Sequence, residues 1–254
     1  MSHHQLAGRR FWLIGASSGI GAALARVLVE RGAHVAISAR DADALAEVAG
    51  TTMSAVPLDA TDRDAVEAAA AQVRDALGGI DAMVWCAGLW KQFDAATWDA
   101  DVFEQHVEVN LLGLNNVLAV VVPPMVRVGS GQIVTVASVA GFRGLAGSEA
   151  YGATKAAQIN LMEALRAAVS RRGVVVTTVA PGFVRTPMTA SNRFKMPFMV
   201  EPEEAARAIA DGLERGRTEI VFPWQMAVLM KLARILPTPV WTAISKRMAR
   251  STAK

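Results

Sequence analysis

The chain has 254 residues, 52% of them apolar and 19% charged, with 26 Lys and Arg against 23 Asp and Glu. That length and composition support a large buried core and exclude a largely disordered chain. A formal charge of +3 with no Lys/Arg block interleaved with aromatics argues against nucleic acid as a partner.

One cysteine, Cys86, leaves no intramolecular disulfide and suits a reducing, cytoplasmic setting. The start Met1-Ser2-His3-His4-Gln5 lacks an apolar core, so it does not read as a signal peptide, and His3 and His4 read as a solvated chain start, with no metal site expected. No run of about 20 uncharged apolar residues predicts a membrane span.

Residues 9–14 read as a short buried strand that runs into Gly15-Ala16-Ser17-Ser18-Gly19-Ile20-Gly21, then into a helical pattern over 22–31 that ends at Gly32. Strand, glycine loop and helix in this order suit a bound pyrophosphate. The glycines let the backbone turn and approach the phosphates, and the helix start offers free N–H groups and a positive dipole end. A second strand, 34–38, ends at Ala39-Arg40-Asp41. In dinucleotide folds an acid here takes the ribose hydroxyls and a nearby arginine favours a 2′-phosphate, so Ala39 followed by Arg40 predicts NADP(H) over NAD(H). A helix over 43–49 and a third strand over 53–58 lead to Asp59-Ala60-Thr61. Asp59 there either accepts from an adenine amino group or, with Thr61, caps the next helix, 62–77. A fourth strand, 80–88, is almost wholly apolar, as a parallel strand covered on both faces should be. Its end, Ala87-Gly88, leaves room for a cofactor against the backbone.

A long helical region over 98–127, with a break expected before Val107, contains Asn110, an unfavourable residue inside a helix and so one expected to be hydrogen-bonding. A fifth strand leads into Ser138. After a glycine-rich loop, a helix from Tyr151 to about 172 puts Tyr151 and Lys155 one turn apart on one face. A serine at a strand end, a tyrosine and a lysine can therefore meet as an acid–base constellation. The sixth strand, 174–179, opens onto Pro181-Gly182-Phe183-Val184-Arg185-Thr186. Residues 191–200 read as either a mobile lid or a packed loop, 201–216 as a helix and 218–222 as the last strand. This alternation predicts one doubly wound α/β domain over residues 1–223, a Rossmann fold with a seven-stranded parallel sheet of order 3-2-1-4-5-6-7. Residues 224–254 form a C-terminal extension read as two basic amphipathic helices that pack on their own domain, on a second subunit or on an anionic membrane surface.

In this order the motifs resemble the short-chain dehydrogenase/reductase family over residues 6–222. The resemblance implies a catalytic tetrad of Asn110, Ser138, Tyr151 and Lys155. It implies a cofactor site formed by Gly15, Ser17, Ser18, Gly19, Ile20, Gly21, Arg40, Asp59, Ala60, Ala87, Gly88, Pro181, Gly182, Val184 and Thr186, with Tyr151 and Lys155 on the nicotinamide side. Tyr151 is then the general acid/base of hydride transfer between NADP(H), or NAD(H), and a carbonyl/alcohol pair. Lys155, with the oxidised nicotinamide, should lower the Tyr151 pKa, Ser138 holds the substrate oxygen, and Asn110 supports a water or backbone link to Lys155. Leu89, Trp90, Phe142, Leu145, Phe183, Met188 and Phe194 are the substrate-pocket candidates, and their apolar character points to a hydrophobic ketone, aldehyde or alcohol. A homodimer or homotetramer is expected. The alternative is a non-catalytic NADP-binding regulatory or scaffold protein on the same fold. Two departures stand out: Ile14 where the family carries threonine, and Trp85-Cys86 where it carries two asparagines. Both suggest that a polar contact has been exchanged for apolar packing.

Overall fold

The computed structural model describes residues 5–190, 192 and 195–252. Its strands are β1 (Arg10–Ile14), β2 (His34–Ser38), β3 (Ser54–Ala55), β4 (Ala82–Trp85), β5 (Gly131–Val136), β6 (Val174–Pro181) and β7 (Glu219–Phe222). They form one parallel sheet in the order β3-β2-β1-β4-β5-β6-β7, the arrangement the sequence predicts. The helices are α1 (Gly19–Glu30), α2 (Ala42–Ala49), α3 (Arg63–Leu77), α4 (Ala100–Val107), α5 (Gly113–Val128), α6 (Glu149–Val169), α7 (Pro187–Ala190), α8 (Pro202–Glu214), α9 (Trp224–Ile235) and α10 (Thr238–Thr252).

The pleat sends successive side chains to opposite faces of the sheet. Phe11 and Leu13 join one apolar cluster with Leu24 and Leu28 of α1 and Ile209 and Leu213 of α8. Trp12 and Ile14 join another with Val66 and Val73 of α3 and Leu114 and Met125 of α5. Ile14 is the register partner of Trp85, and both lie in this second cluster, so the two positions that depart from the family pattern pack against each other as apolar neighbours.

Three elements differ from expectation. The fourth strand, expected over 80–88, spans only Ala82–Trp85. The third strand is reduced to Ser54–Ala55. Val56 N and Leu58 N still donate to Ile37 O and Ala39 O, each at 2.9 Å, so the chain keeps its bonds to β2 past Ala55, and Pro57 sits between them with its missing N–H on the open edge of the sheet. The long helical region does not break before Val107. Helix α4 passes into α5 through one wide π-type turn, Glu108–Leu112. The extra residue in that turn rotates Asn110 inward, where it is fully buried.

The continuous run Ala100–Val128 is long and apolar enough to cross a membrane by length and composition, although it carries charged residues. Leu114, Val117, Leu118, Val121 and Met125 on it belong to the core cluster beneath the sheet, so it reads as a core helix.

Beyond β7, Met226 and Met230 of α9 pack with Val139, Phe142, Ile159 and Ala180. The loop after Ser138 is held to this region by three hydrogen bonds: Arg143 Nη2 to Leu236 O (2.8 Å), Trp241 Nε1 to Gly144 O (2.6 Å), and Ala146 N to Ser245 Oγ (3.2 Å).

Candidate active site

The carboxyl ends of β1, β4, β5 and β6 open onto one cleft of about 390 Å3. Gly15, Ser17, Ser18, Gly19, Ile20 and Gly21 line one end with Arg40, Asp59 and Ala60. Ala87, Gly88, Ser138, Tyr151, Lys155, Pro181, Gly182, Val184, Thr186 and Met188 line the other. Leu58, Val109, Val136 and Thr189, which no motif marks as site residues, also face the cleft. They are small or apolar residues whose position depends on the neighbouring motifs.

The glycine loop is tight for a packing reason. A Cβ on Gly15 would lie 2.3 Å from Ala87 N, and Gly15 adopts φ +85°, which disfavours any side chain. A Cβ on Gly21 would lie 2.2 Å from Gly15 O. These two glycines let α1 start directly against the β1 and β4 ends. The N-cap residues of α2, α3 and α4 (Asp41, Asp62 and Asp99) accept hydrogen bonds from first-turn N–H groups, whereas Ser18 of α1 makes no such bond. The start of α1 therefore faces the cleft with free donors, which fits a pyrophosphate. Asp59 does not cap α3, because Asp62 does. Asp59 Oδ1 instead accepts from Thr61 N (3.0 Å) and Thr61 Oγ1 (2.8 Å). At the other end, Gly88 leaves open the space in front of the lysine: a Cβ there would stand 3.5 Å from both Lys155 Nζ and Asn110 Oδ1. The residues present thus fit a dinucleotide along the whole cleft.

Asn110 holds two parts of the site together. Its Oδ1 accepts from Leu89 N (2.7 Å), and its Nδ2 donates to Leu89 O (3.2 Å) and Thr154 Oγ1 (2.9 Å). The link expected from Asn110 to Lys155 starts at the Asn110 backbone carbonyl and passes through the Gln158 side chain, a residue no motif marks. Gln158 Nε2 donates to Asn110 O (2.6 Å), and Gln158 Oε1 accepts from Lys155 Nζ (3.0 Å). Lys155 Nζ also donates to Val136 O (3.0 Å). The available signal was helical spacing: Tyr151, Lys155 and Gln158 recur at i, i+4 and i+7, and a fully buried amide on that face needs partners.

The Ser138 side chain hydrogen-bonds the Tyr151 phenol, and Ser138 Oγ also accepts from Ala140 N at 3.1 Å. Burial pushes the phenol up to about 12, and the Ser138 bond offsets part of that rise. The lowering expected from Lys155 acting with the oxidised nicotinamide belongs to the cofactor-bound site; without the dinucleotide, burial of the phenol dominates. Lys155 is itself buried and bonded to Val136 and Gln158. Burial lowers its own pKa to about 8, and its Nζ lies 5.5 Å from the Tyr151 ring centroid. Burial also pushes the Cys86 thiol up to about 12, which leaves it unreactive at neutral pH.

The pocket candidates separate. Trp90 stands edge-on to Tyr151, with ring centroids 5.1 Å apart at 78°, and donates from Nε1 to Asn192 Oδ1 (2.8 Å). Leu89, whose backbone is held by Asn110, and Leu145 are half-buried. Met188 lies in the cleft near Gly88. Phe142 is not a pocket residue: α9 covers it, it is buried in the cluster with Met226 and Met230, and Arg234 lies over its ring at 5.2 Å. Phe183 packs against that same cluster. Phe194 lies outside the described residues.

A doubly wound parallel sheet with a glycine-lined cleft at its carboxyl edge, closed by a tyrosine and a buried lysine, defines a dinucleotide-dependent oxidoreductase. The family model for short chain dehydrogenases matches residues 11–196. An uncharacterized oxidoreductase of Myxococcus xanthus (strain DK1622) is 37% identical over 250 residues, covering 96% of this chain and 99% of the relative. An uncharacterized oxidoreductase of Staphylococcus haemolyticus (strain JCSC1435) is 33% identical over 209 residues, covering 81% and 90%. The crystal structure of a short chain dehydrogenase from Burkholderia cenocepacia J2315 in complex with NADP is 26% identical, covers 92% of this chain and 100% of that one, and superposes with a TM-score of 0.80. The chain belongs to the short-chain dehydrogenase/reductase family, and its activity is that of an NAD(P)-dependent oxidoreductase.

Proposed function

We propose that this enzyme prefers NADP(H) and interconverts a hydrophobic carbonyl compound with its alcohol, with Tyr151 as general acid/base. The observation that carries this reading is the convergence of Ser138, Tyr151 and buried Lys155 at the end of the glycine-lined cleft, with Lys155 Nζ 5.5 Å from the Tyr151 ring centroid. The dinucleotide, when bound, supplies or accepts the hydride. Ser138 and Tyr151 hold the carbonyl oxygen between two hydroxyls. With its pKa raised, Tyr151 carries its proton at neutral pH and gives it to that oxygen as negative charge develops. Lys155 brings a positive charge to the same place, and Val136 O and Gln158 fix its direction.

Trp90 and Met188, with Leu89 and Leu145, supply apolar walls and no cation for an anionic substrate. In this reading residues 1–223 form the catalytic domain and 224–254 the extension, and the enzyme works in the cytoplasm as a homodimer or homotetramer. A panel of apolar ketones and aldehydes, followed by NADPH absorbance and repeated with NADH, tests the proposal. No consumption of NADPH with any of them, together with no NADPH binding, overturns it.

Arg40 supports the cofactor preference. It is exposed at the cleft beyond the β2 end, after Ala39, and the acid beside it, Asp41, is committed through Oδ1 to capping α2 at Ala44 N (3.0 Å). A charged hydrogen bond to a phosphate contributes about 1.5–3 kcal/mol. Arg40→Ala is therefore expected to raise KM for NADPH by roughly 10- to 100-fold and to leave KM for NADH nearly unchanged. Equal effects on both would remove Arg40 from the 2′-phosphate.

Gln158 acts as a positioning residue for Lys155. Gln158→Leu removes one acceptor of the charged amine, which favours the neutral form. Carbonyl reduction is expected to fall as Lys155 loses its proton near pH 8. In Gln158→Leu that alkaline limb should move to lower pH, and kcat should drop about tenfold. A lower kcat with an unmoved limb would make the role of Gln158 merely structural.

A further inference from the structure

Helix α9 presents an apolar face that nothing among the described residues covers. Trp224 is 71% exposed, Ile235 78%, Leu232 56%, and Val228 and Leu229 52% each. At about 100° per residue these five fall on one side of the helix, while Met226, Met230 and Ala233 on the other side are buried. Helix α10 adds Val240 and Ile244, exposed on the side that also carries exposed Arg247, while Trp241 and Ser245 turn inward. The hydrogen bonds from Arg143, Trp241 and Ala146 hold both helices against the rest of the protein, so the face has a fixed orientation.

Charge decides what this face fits. Residues 220–254 carry six Lys and Arg (Lys231, Arg234, Lys246, Arg247, Arg250 and Lys254), and none of the 23 Asp and Glu of the chain. Lys231 is paired with Glu219 at 2.6 Å, and the other described cations of the tail have no acid within the tail to neutralise them. A second copy docked through the same face would bring two such basic segments together, because a two-fold interface sets each patch against itself. An anionic bilayer surface satisfies both properties at once. Its headgroups attract the Lys and Arg side chains, and its acyl boundary takes up Trp224, Leu232 and Ile235.

We propose that α9 and α10 dock this enzyme peripherally on anionic phospholipid, with the Trp224–Ile235 face against the bilayer. The test is co-sedimentation of the full chain with vesicles of phosphatidylcholine alone and of phosphatidylcholine mixed with phosphatidylglycerol, at low and high salt, alongside the oligomeric state from light scattering. Pelleting with the mixed vesicles is expected, and it should weaken about tenfold or more on phosphatidylcholine alone and at high salt. The double variant Leu232→Ser/Ile235→Ser should lose pelleting while keeping the wild-type oligomeric state and melting temperature. Equal pelleting on both vesicle types, or none by the wild-type chain, overturns the proposal. It is also overturned if the double variant falls to monomer while wild-type protein ignores vesicles, because the face then belongs to a second copy.

Discussion

Tyr151→Phe is expected to lower kcat/KM for carbonyl reduction by about 10²- to 10⁴-fold, the usual contribution of a positioned proton donor. NADPH affinity should change little, because phenylalanine keeps the ring that packs edge-on against Trp90 and removes only the hydroxyl bonded to Ser138. Equal losses of turnover and of cofactor binding would make Tyr151 a packing residue and would sink the acid/base assignment. Tyr151 is the only tyrosine in the chain, so its ionisation can be read directly from phenolate absorbance. In the protein without added dinucleotide the band should rise near pH 12. A midpoint at the ordinary phenol value of about 10 would show that burial does not govern this site. Repeating the titration with NADP+ bound then measures how far the cofactor's charge lowers the pKa, separately from the contribution of Lys155.

The fold was legible because each local signal agreed with the others. The alternation in Phe11-Trp12-Leu13-Ile14, the glycine turn against Ala87 and the helical spacing of Tyr151 and Lys155 all survive as geometry. What the sequence hid depends on burial by distant segments. Phe142 reads as a pocket residue until α9, more than 80 residues further along the chain, is laid over it. Gln158 gains its meaning only when the wide turn at Glu108–Leu112 brings Asn110 O within 2.6 Å of it. Helical spacing shows that a lysine is near Tyr151, but not that the phenol has left water, and it is burial that sets the direction of its shift without the dinucleotide.

Lys155→Met is expected to abolish measurable turnover and to change how stability depends on pH. The side chain is 3% exposed, and burial takes its pKa from 10.5 to about 8. Between those values an unfolded chain binds a proton that the folded protein does not, so wild-type stability rises with pH through this window. A difference of that size corresponds to about 3 kcal/mol. Below about pH 8 the folded lysine is charged and the full cost of burying it is present. Methionine has no proton to bind, so its contribution is flat. Tyr151, whose folded pKa is raised, works in the opposite sense above about pH 10, but it does so in both proteins and cancels in the comparison. Urea unfolding without added dinucleotide should therefore show wild type gaining about 3 kcal/mol on Lys155→Met between about pH 7 and pH 10.5. Parallel curves for the two proteins would mean that Lys155 is not held charged in a dry site. A rising difference means that the enzyme gives up stability at neutral pH to keep one positive charge beside Tyr151, where a proton must move.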